Sequence, residues 1–322
     1  MLWEPDRMPF LQINAGPEGP ALHGTPRPLR PSLTQALRAQ GPIIIMTHGF
    51  KFAPGQGLDC PHNHILSLSP LSRCWKTLSW PRYLGYGAGH RGEGLGIAFG
   101  WAGRGTIWQA YRQARNAGHS LARLIHMIHQ IAPGRPIHLI AHSLGARVVL
   151  SALHDLPEDS IRRAILLCGA EYIETAKAAL STDAGRTAEI INVTTRENDL
   201  FDFLLERLIP PARFRENRSL GRGLPDLPNT LNLQLDHPAT LTRLSRAGFS
   251  IAPAKTRICH WSAYLRPGVF PFYRDILRHP DDWPISKLRT ALPYQPDPHW
   301  TRLRELAPRI LPVATPETAA LP

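Results

Sequence analysis

Short apolar runs alternate along this chain with longer stretches of helical period. Pro42 opens Ile43-Ile44-Ile45-Met46-Thr47, a run apolar on both faces, as a strand in the middle of a parallel sheet must be. Residues 95–100, 137–141, 164–168 and 190–194 read the same way, as does a short run at 256–259, and 10–14 is a further candidate at an edge. The clearest helix starts at Thr106, with Gln109 three residues on in capping-box spacing. Its stripe is Ile107, Tyr111, Ala114, Gly118, Leu121, Ile125, Ile128 and Ala132, and Pro133-Gly134 ends it. A second helix is predicted from Leu144 to about Leu156, with Val148, Val149 and Leu153 turned inward. Strand and helix periods in alternation predict an α/β fold, a mostly parallel sheet with helices on both faces.

Two segments break the alternation. Residues 51–94 are rich in Pro, Gly, Trp and His, and residues 209–250 carry Arg-rich and Gly-rich stretches around weak periodicity. Loops this long inside a compact domain are commonly functional, so both are expected to act as a cap or lid. No repeat or linker divides the chain, which reads as one domain over 1–322 with its core at about 40–280.

Ile137-His-Leu-Ile-Ala-His-Ser-Leu-Gly-Ala-Arg147 is the most informative stretch: a buried strand runs through small-x-Ser-x-Gly directly into a helix. That is the context of a nucleophile elbow, a tight strand-to-helix turn with small residues on either side that lifts a serine hydroxyl clear of the sheet. Ala141 stands where such motifs usually have their first glycine. Ser143 is the candidate nucleophile, with an ordinary turn serine as the alternative. Thr47-His48-Gly49-Phe50 follows the first buried strand. Acyl transfer needs two N–H donors aimed at the developing oxyanion, and the amides of Leu144 and Phe50 are the candidates. His48 is read as a loop-holding side chain.

These motifs, with the strand Gly96-Ile-Ala-Phe-Gly-Trp101, resemble the α/β-hydrolase superfamily, and more narrowly its bacterial members described only as hydrolases of unknown function. The likeness covers about residues 40–280. It implies the α/β-hydrolase fold and a Ser–acid–His triad in that chain order, without naming a substrate. Family members place the acid in the loop after the strand at 190–194. There Asp199 fits as the last residue of Thr195-Arg-Glu-Asn-Asp199, with Glu197 and Asp202 as rivals. His260 follows the run at 256–259, where the triad histidine belongs.

Hydrophobic residues make up 43% and charged residues 19%, a globular composition. The net charge is +12, and of 37 basic residues 32 are Arg. They are scattered without blocks of like charge, which argues against a nucleic-acid partner and leaves peripheral contact with anionic lipid or an acidic substrate open. No run approaches the roughly 20 apolar residues of a membrane span, and the start Met1-Leu-Trp-Glu-Pro-Asp-Arg lacks signal-peptide features, so a cytoplasmic location is expected. Cys60-Pro-His-Asn-His64 with Cys74 fits no familiar zinc spacing and is read as a loop with solvated histidines, with no metal. Gly87-Ala-Gly89-His-Arg-Gly92 matches a dinucleotide loop by letter, but it precedes a strand instead of following one, so no cofactor is expected. The combined expectation is a cofactor-free serine hydrolase acting on an ester, thioester or amide, with a small-molecule or lipid-like ester as substrate. A non-catalytic scaffold that kept the fold is the alternative.

Overall fold

The apolar runs become the inner strands of one sheet. The computed structural model describes residues 10–71, 74–210, 218–292 and 296–304; the opening heptapeptide read above therefore lies outside the described residues. The strands are β1 (Phe10–Gly16), β2 (Gly19–Leu22), β3 (Ile43–Thr47), β4 (Leu95–Gly100), β5 (Ile137–His142), β6 (Arg163–Leu167), β7 (Glu189–Thr194) and β8 (Thr230–Gln234). Their order is β2-β1-β4-β3-β5-β6-β7-β8, and every neighbouring pair is parallel except β1 with β2. Every residue of β3 to β7 is buried, as helices on both faces require.

The helices are α1 (Leu29–Ala36), α2 (Trp80–Tyr83), α3 (Ile107–Ile131), α4 (Gly145–Ala152), α5 (Ile173–Leu180), α6 (Asp183–Thr187), α7 (Asp199–Leu208), α8 (Pro238–Arg246), α9 (Ser262–Leu265), α10 (Val269–Arg278), α11 (Ile285–Ala291) and α12 (Thr301–Arg304). The period of two in β3 divides the core. Ile43 and Ile45 pack with α1 and α3 to α6, whereas Ile44 and Met46 pack with α2 and α8 to α11. The expected capping box on α3 is formed, Thr106 and Gln109 exchanging side-chain bonds with each other's backbone N–H. None of the described helices is long and apolar enough to cross a membrane.

The strand order also selects where a ligand would sit. The chain leaves β3 toward β4 and leaves β5 toward β6, in opposite directions, so a crevice opens at the carboxyl ends of β3 and β5. Gly49 and Ser143 stand at those two ends.

Four expectations change. Residues 256–259 form no strand, and Ile258 is 45% exposed. The last strand is instead Thr230-Leu-Asn-Leu-Gln234, where the polar residues interrupt the apolar run and Asn232 is a poor strand former. The stretch 209–250 thus holds β8 and α8, while 211–217 lie outside the described residues. In 51–94, Ile65, Leu66, Trp80, Leu84 and Tyr86 join the core beneath the sheet, so much of this stretch is wall and not a free lid. His62 and His64 are buried, with Nε2 bonded to Asn14 and Thr77 at 2.7 and 2.9 Å, and so are not solvated.

The glycine-rich loop before β4 turns the amides of Gly87, Ala88 and His90 onto the buried Glu93 carboxylate. Several arginines staple the interior. Arg163 donates to the carbonyls of Ile276 and Trp283, Arg278 to those of Leu84, Gly85 and Glu93, and Arg266 to that of Leu235. A guanidinium fork suits this role because it offers five donors in a fixed plane.

Candidate active site

Ser143 sits in the turn from β5 to α4 with φ 55°, a left-handed conformation costly for a residue with a Cβ. The turn is held on every side. Ser143 N–H donates to Leu167 O, and Ser143 O accepts from Ala146 and Ala170, each at 3.0 Å. Small residues let neighbouring backbone come close. A Cβ on Gly49 would lie 2.6 Å from Ser143 Cβ and 3.2 Å from its Oγ.

The His48 ring closes this loop. Trp101 N–H donates to Nε2 at 3.0 Å, so Nδ1–H donates to Gly49 O at 2.8 Å, and the ring stacks on Trp101. Burial pushes its pKa down to about 3, so the ring stays neutral, and both of its nitrogens are taken up in holding the loop. Phe50 follows Gly49, and Leu144 precedes α4. Among the described residues neither of their amides is used in a backbone hydrogen bond.

His260 reaches the same place from a loop. Its carbonyl accepts from His142 Nε2–H at 2.9 Å, and His142 is the residue before Ser143. The two rings lie 4.6 Å apart, and Phe201 stacks on His260 at 4.7 Å. Cys259 N–H donates to Glu197 O at 2.8 Å, fastening the loop to the end of β7. Burial, then His142 and Lys76, hold the His260 pKa well below its usual value.

The expected Asp199–His260 hydrogen bond is not formed. His260 Nδ1 instead lies 2.6 Å from Asn198 Oδ1. Asn198 ends a 3₁₀ turn and Asp199 begins α7, so the adjacent side chains diverge around the helix axis. Asp199 accepts from Trp300 N–H at 2.6 Å, and lies 3.0 Å from His299 Nδ1 and 3.3 Å from the Arg196 guanidinium. Glu197 pairs with Arg266 and accepts from Thr256, a structural clasp on the loop that carries His260. Asp202 is buried one turn beyond Asn198 and faces its amide.

Sequence reasoning thus overlooked Asn198 and His142. A triad acid is sought among carboxylates, which passes over an amide, and the partner of His142 is 118 residues away.

The flanks of His260 are apolar. Trp75 meets Trp261 edge to face at 5.4 Å, and the Lys76 ammonium lies 3.5 Å over the Trp261 ring. Phe201 on α7 extends this surface, its ring 6.0 Å from that of Trp261. A separate cavity of about 280 Å³ beside α7 is lined by charged groups including Glu206, Arg218 and Arg222; neither Ser143 nor His260 lines it.

A family model describing the alpha/beta hydrolase fold matches residues 84–206, a span that runs through β4, Ser143 and Asn198. The chain has the α/β-hydrolase fold. Two solved structures resemble this α/β-hydrolase-fold chain weakly. Trichoderma reesei cutinase, in complex with a phosphonate inhibitor, is 18% identical over 41% of this chain and 53% of its own, with a TM-score of 0.23. Phospholipase PlaB from Legionella pneumophila, in complex with thio-NAD, is 12% identical over 50% of this chain and 40% of its own, with a TM-score of 0.29. The chain therefore spans about half of the first and two-fifths of the second. No curated protein matches it in sequence.

Proposed function

We propose that this chain is a serine hydrolase acting on an ester, thioester or amide with an apolar group beside the carbonyl. The observation that carries the reading is a strained Ser143 on the β5–α4 turn, next to a residue whose side chain holds the His260 loop. Asn198 Oδ1 accepts from Nδ1–H of His260, which leaves Nε2 with its lone pair free to take a proton. Ser143 Oγ attacks the substrate carbonyl as His260 Nε2 removes its proton. The Phe50 and Leu144 amides stabilise the oxyanion, and His260 returns the proton to the leaving group. Water then gives a proton to His260 Nε2 and attacks the acyl carbon of the Ser143 ester, and the bond to Ser143 Oγ breaks as His260 returns that proton to it, releasing the acid. Trp75, Trp261 and Phe201 provide the apolar surface for an acyl or leaving group, which favours lipid-like or aromatic esters.

The non-catalytic alternative has one observation in its favour. The partner of His260 is a neutral amide, which supplies no charge to a developing imidazolium. Fluorophosphonate labelling separates the two readings. Labelling that disappears in Ser143→Ala, together with hydrolysis in a screen of ester chain lengths, supports the enzyme. Folded protein that never labels supports the scaffold.

A further inference from the structure

We propose that Asp202 is a positioning residue: it anchors the Asn198 amide so that Oδ1, and not the NH₂ group, faces His260, extending the site to a line Ser143–His260–Asn198–Asp202. This rests on the hydrolase reading of the site.

A carboxylate beside a triad histidine presents an acceptor whichever way it turns. An amide does not. Rotated by half a turn, Asn198 would offer its NH₂ to Nδ1, the imidazole proton would move to Nε2, and His260 could no longer take the Ser143 proton. An asparagine in this place therefore needs something to hold its orientation. The 2.6 Å contact between Asn198 Oδ1 and His260 Nδ1 shows which orientation is held.

Asp202 supplies the hold. It lies four residues along from Asn198, one helical turn, so the two side chains share a face at the start of α7. With Oδ1 turned to His260, the NH₂ is the end of the amide left to face Asp202, and a hydrogen bond from Asn198 favours the charged carboxylate, which only accepts. The carboxylate is itself fixed. It is buried, and a Cβ on Gly221 would overlap it, so the 3₁₀ turn Leu220–Arg222 packs directly against it. The charged and titratable groups around it are Arg196, which attracts it, and Asp199, Glu206 and the buried Cys168 thiol, which do not. Burial, together with Asp199 and Glu206, outweighs Arg196 and the Asn198 amide and raises its pKa to about 7, so its charge changes near neutrality.

The test exchanges acid and amide. In the wild-type background, Asp202→Asn removes the acceptor that orients Asn198. Turnover of p-nitrophenyl butyrate should fall on the order of 10- to 100-fold in kcat with little change in KM, the scale of a misplaced catalytic group. In the Asn198→Asp background, the introduced carboxylate and that of Asp202 would crowd together. There the same Asp202→Asn change should raise kcat, because the introduced carboxylate accepts from His260 while the new amide donates to it. Opposite signs in the two backgrounds support the proposal, and equal losses in both overturn it. If Asp202→Asn alone does not fold, Asn198→Asp with and without Asp202→Asn carries the comparison. A readout independent of turnover is the ¹⁵N spectrum of histidine-labelled protein. His260 should be the Nδ1–H tautomer in wild type and a mixture in Asp202→Asn; an unchanged tautomer overturns the proposal. A tautomer shift in protein that never labels with fluorophosphonate sinks the hydrolase reading and leaves the positioning role standing.

Discussion

His260 donates from Nδ1 to the side-chain oxygen of Asn198 at 2.6 Å, while Asp199, one residue on, turns away to Trp300 and His299. Held with its oxygen toward the ring, an amide fixes the imidazole tautomer as a carboxylate would, but it brings no negative charge. Asp199→Asn should therefore keep kcat within about threefold. It should cost about 1–3 kcal/mol of stability, through the weakened bond to Trp300 N–H and the lost charge at the start of α7. Asn198→Leu removes the acceptor at similar volume and should lower kcat by on the order of 10²- to 10⁴-fold. Steady-state kinetics on one ester with urea melts of each variant check both. Loss of activity in Asp199→Asn with a normal Asn198→Leu would return the role to the aspartate.

The backbone of Ser143 stores strain that its position requires. At φ 55° a glycine is at ease and a serine is not. Ser143→Gly should raise unfolding free energy by about 1 kcal/mol while abolishing turnover. Urea denaturation measures the first and fluorophosphonate labelling the second. A variant less stable than wild type would mean that the elbow is not strained.

Gly49 is where β3's loop and the elbow touch. Its missing Cβ would sit 2.6 Å from Ser143 Cβ, against a segment pinned at three backbone hydrogen bonds. Gly49→Ala should destabilise the fold by about 1–3 kcal/mol and displace Ser143. Labelling should slow by on the order of 100-fold even where the protein remains folded. Normal labelling in this variant would show that the loop can yield without moving the serine.

Acid should destabilise the fold below pH 6.5. Burial lowers the pKa of His48 to about 3, His62 to about 2, His138 to about 3 and His142 to about 4. Between these values and 6.5 the unfolded chain binds protons that the folded one refuses, so stability present above pH 6.5 is lost on acidification. Asp202 acts oppositely. Its pKa is raised from 3.8 to about 7, so its contribution is lost as pH rises through that interval. Four histidines outweigh one carboxyl, and the melting temperature should fall steadily from pH 6.5 to 4.5. A flat profile across that range would contradict their burial as neutral rings.

What the sequence determined by itself is what local pattern can encode. Ile43–Thr47 and Ile137–His142 read as strands because they are short runs apolar on both faces that follow Gly and Pro breakers, as a central parallel strand requires. Thr106 and Gln109 start α3 because the capping box is written within four residues. Ser143 was legible for the same reason: strand, elbow and helix are contiguous, and the small residues the turn demands lie beside it. The chain order pointed to His260, which lies against His142 beside the elbow, although the run at 256–259 before it is coil and the last strand lies earlier, at Thr230–Gln234.

Tertiary structure alone decided which side chain of the β7 loop meets His260. Glu197, Asn198, Asp199 and Asp202 fall within six residues, and each is buried. Their directions depend on where a 3₁₀ turn passes into α7, and a shift of one residue rotates the side chain by about 100°. Partners distant in sequence then select among them: Arg266 takes Glu197, Trp300 takes Asp199, and His260 is left to Asn198. No local pattern carries that information, because it resides in contacts 62 to 101 residues apart that exist only once the sheet has brought the loops together.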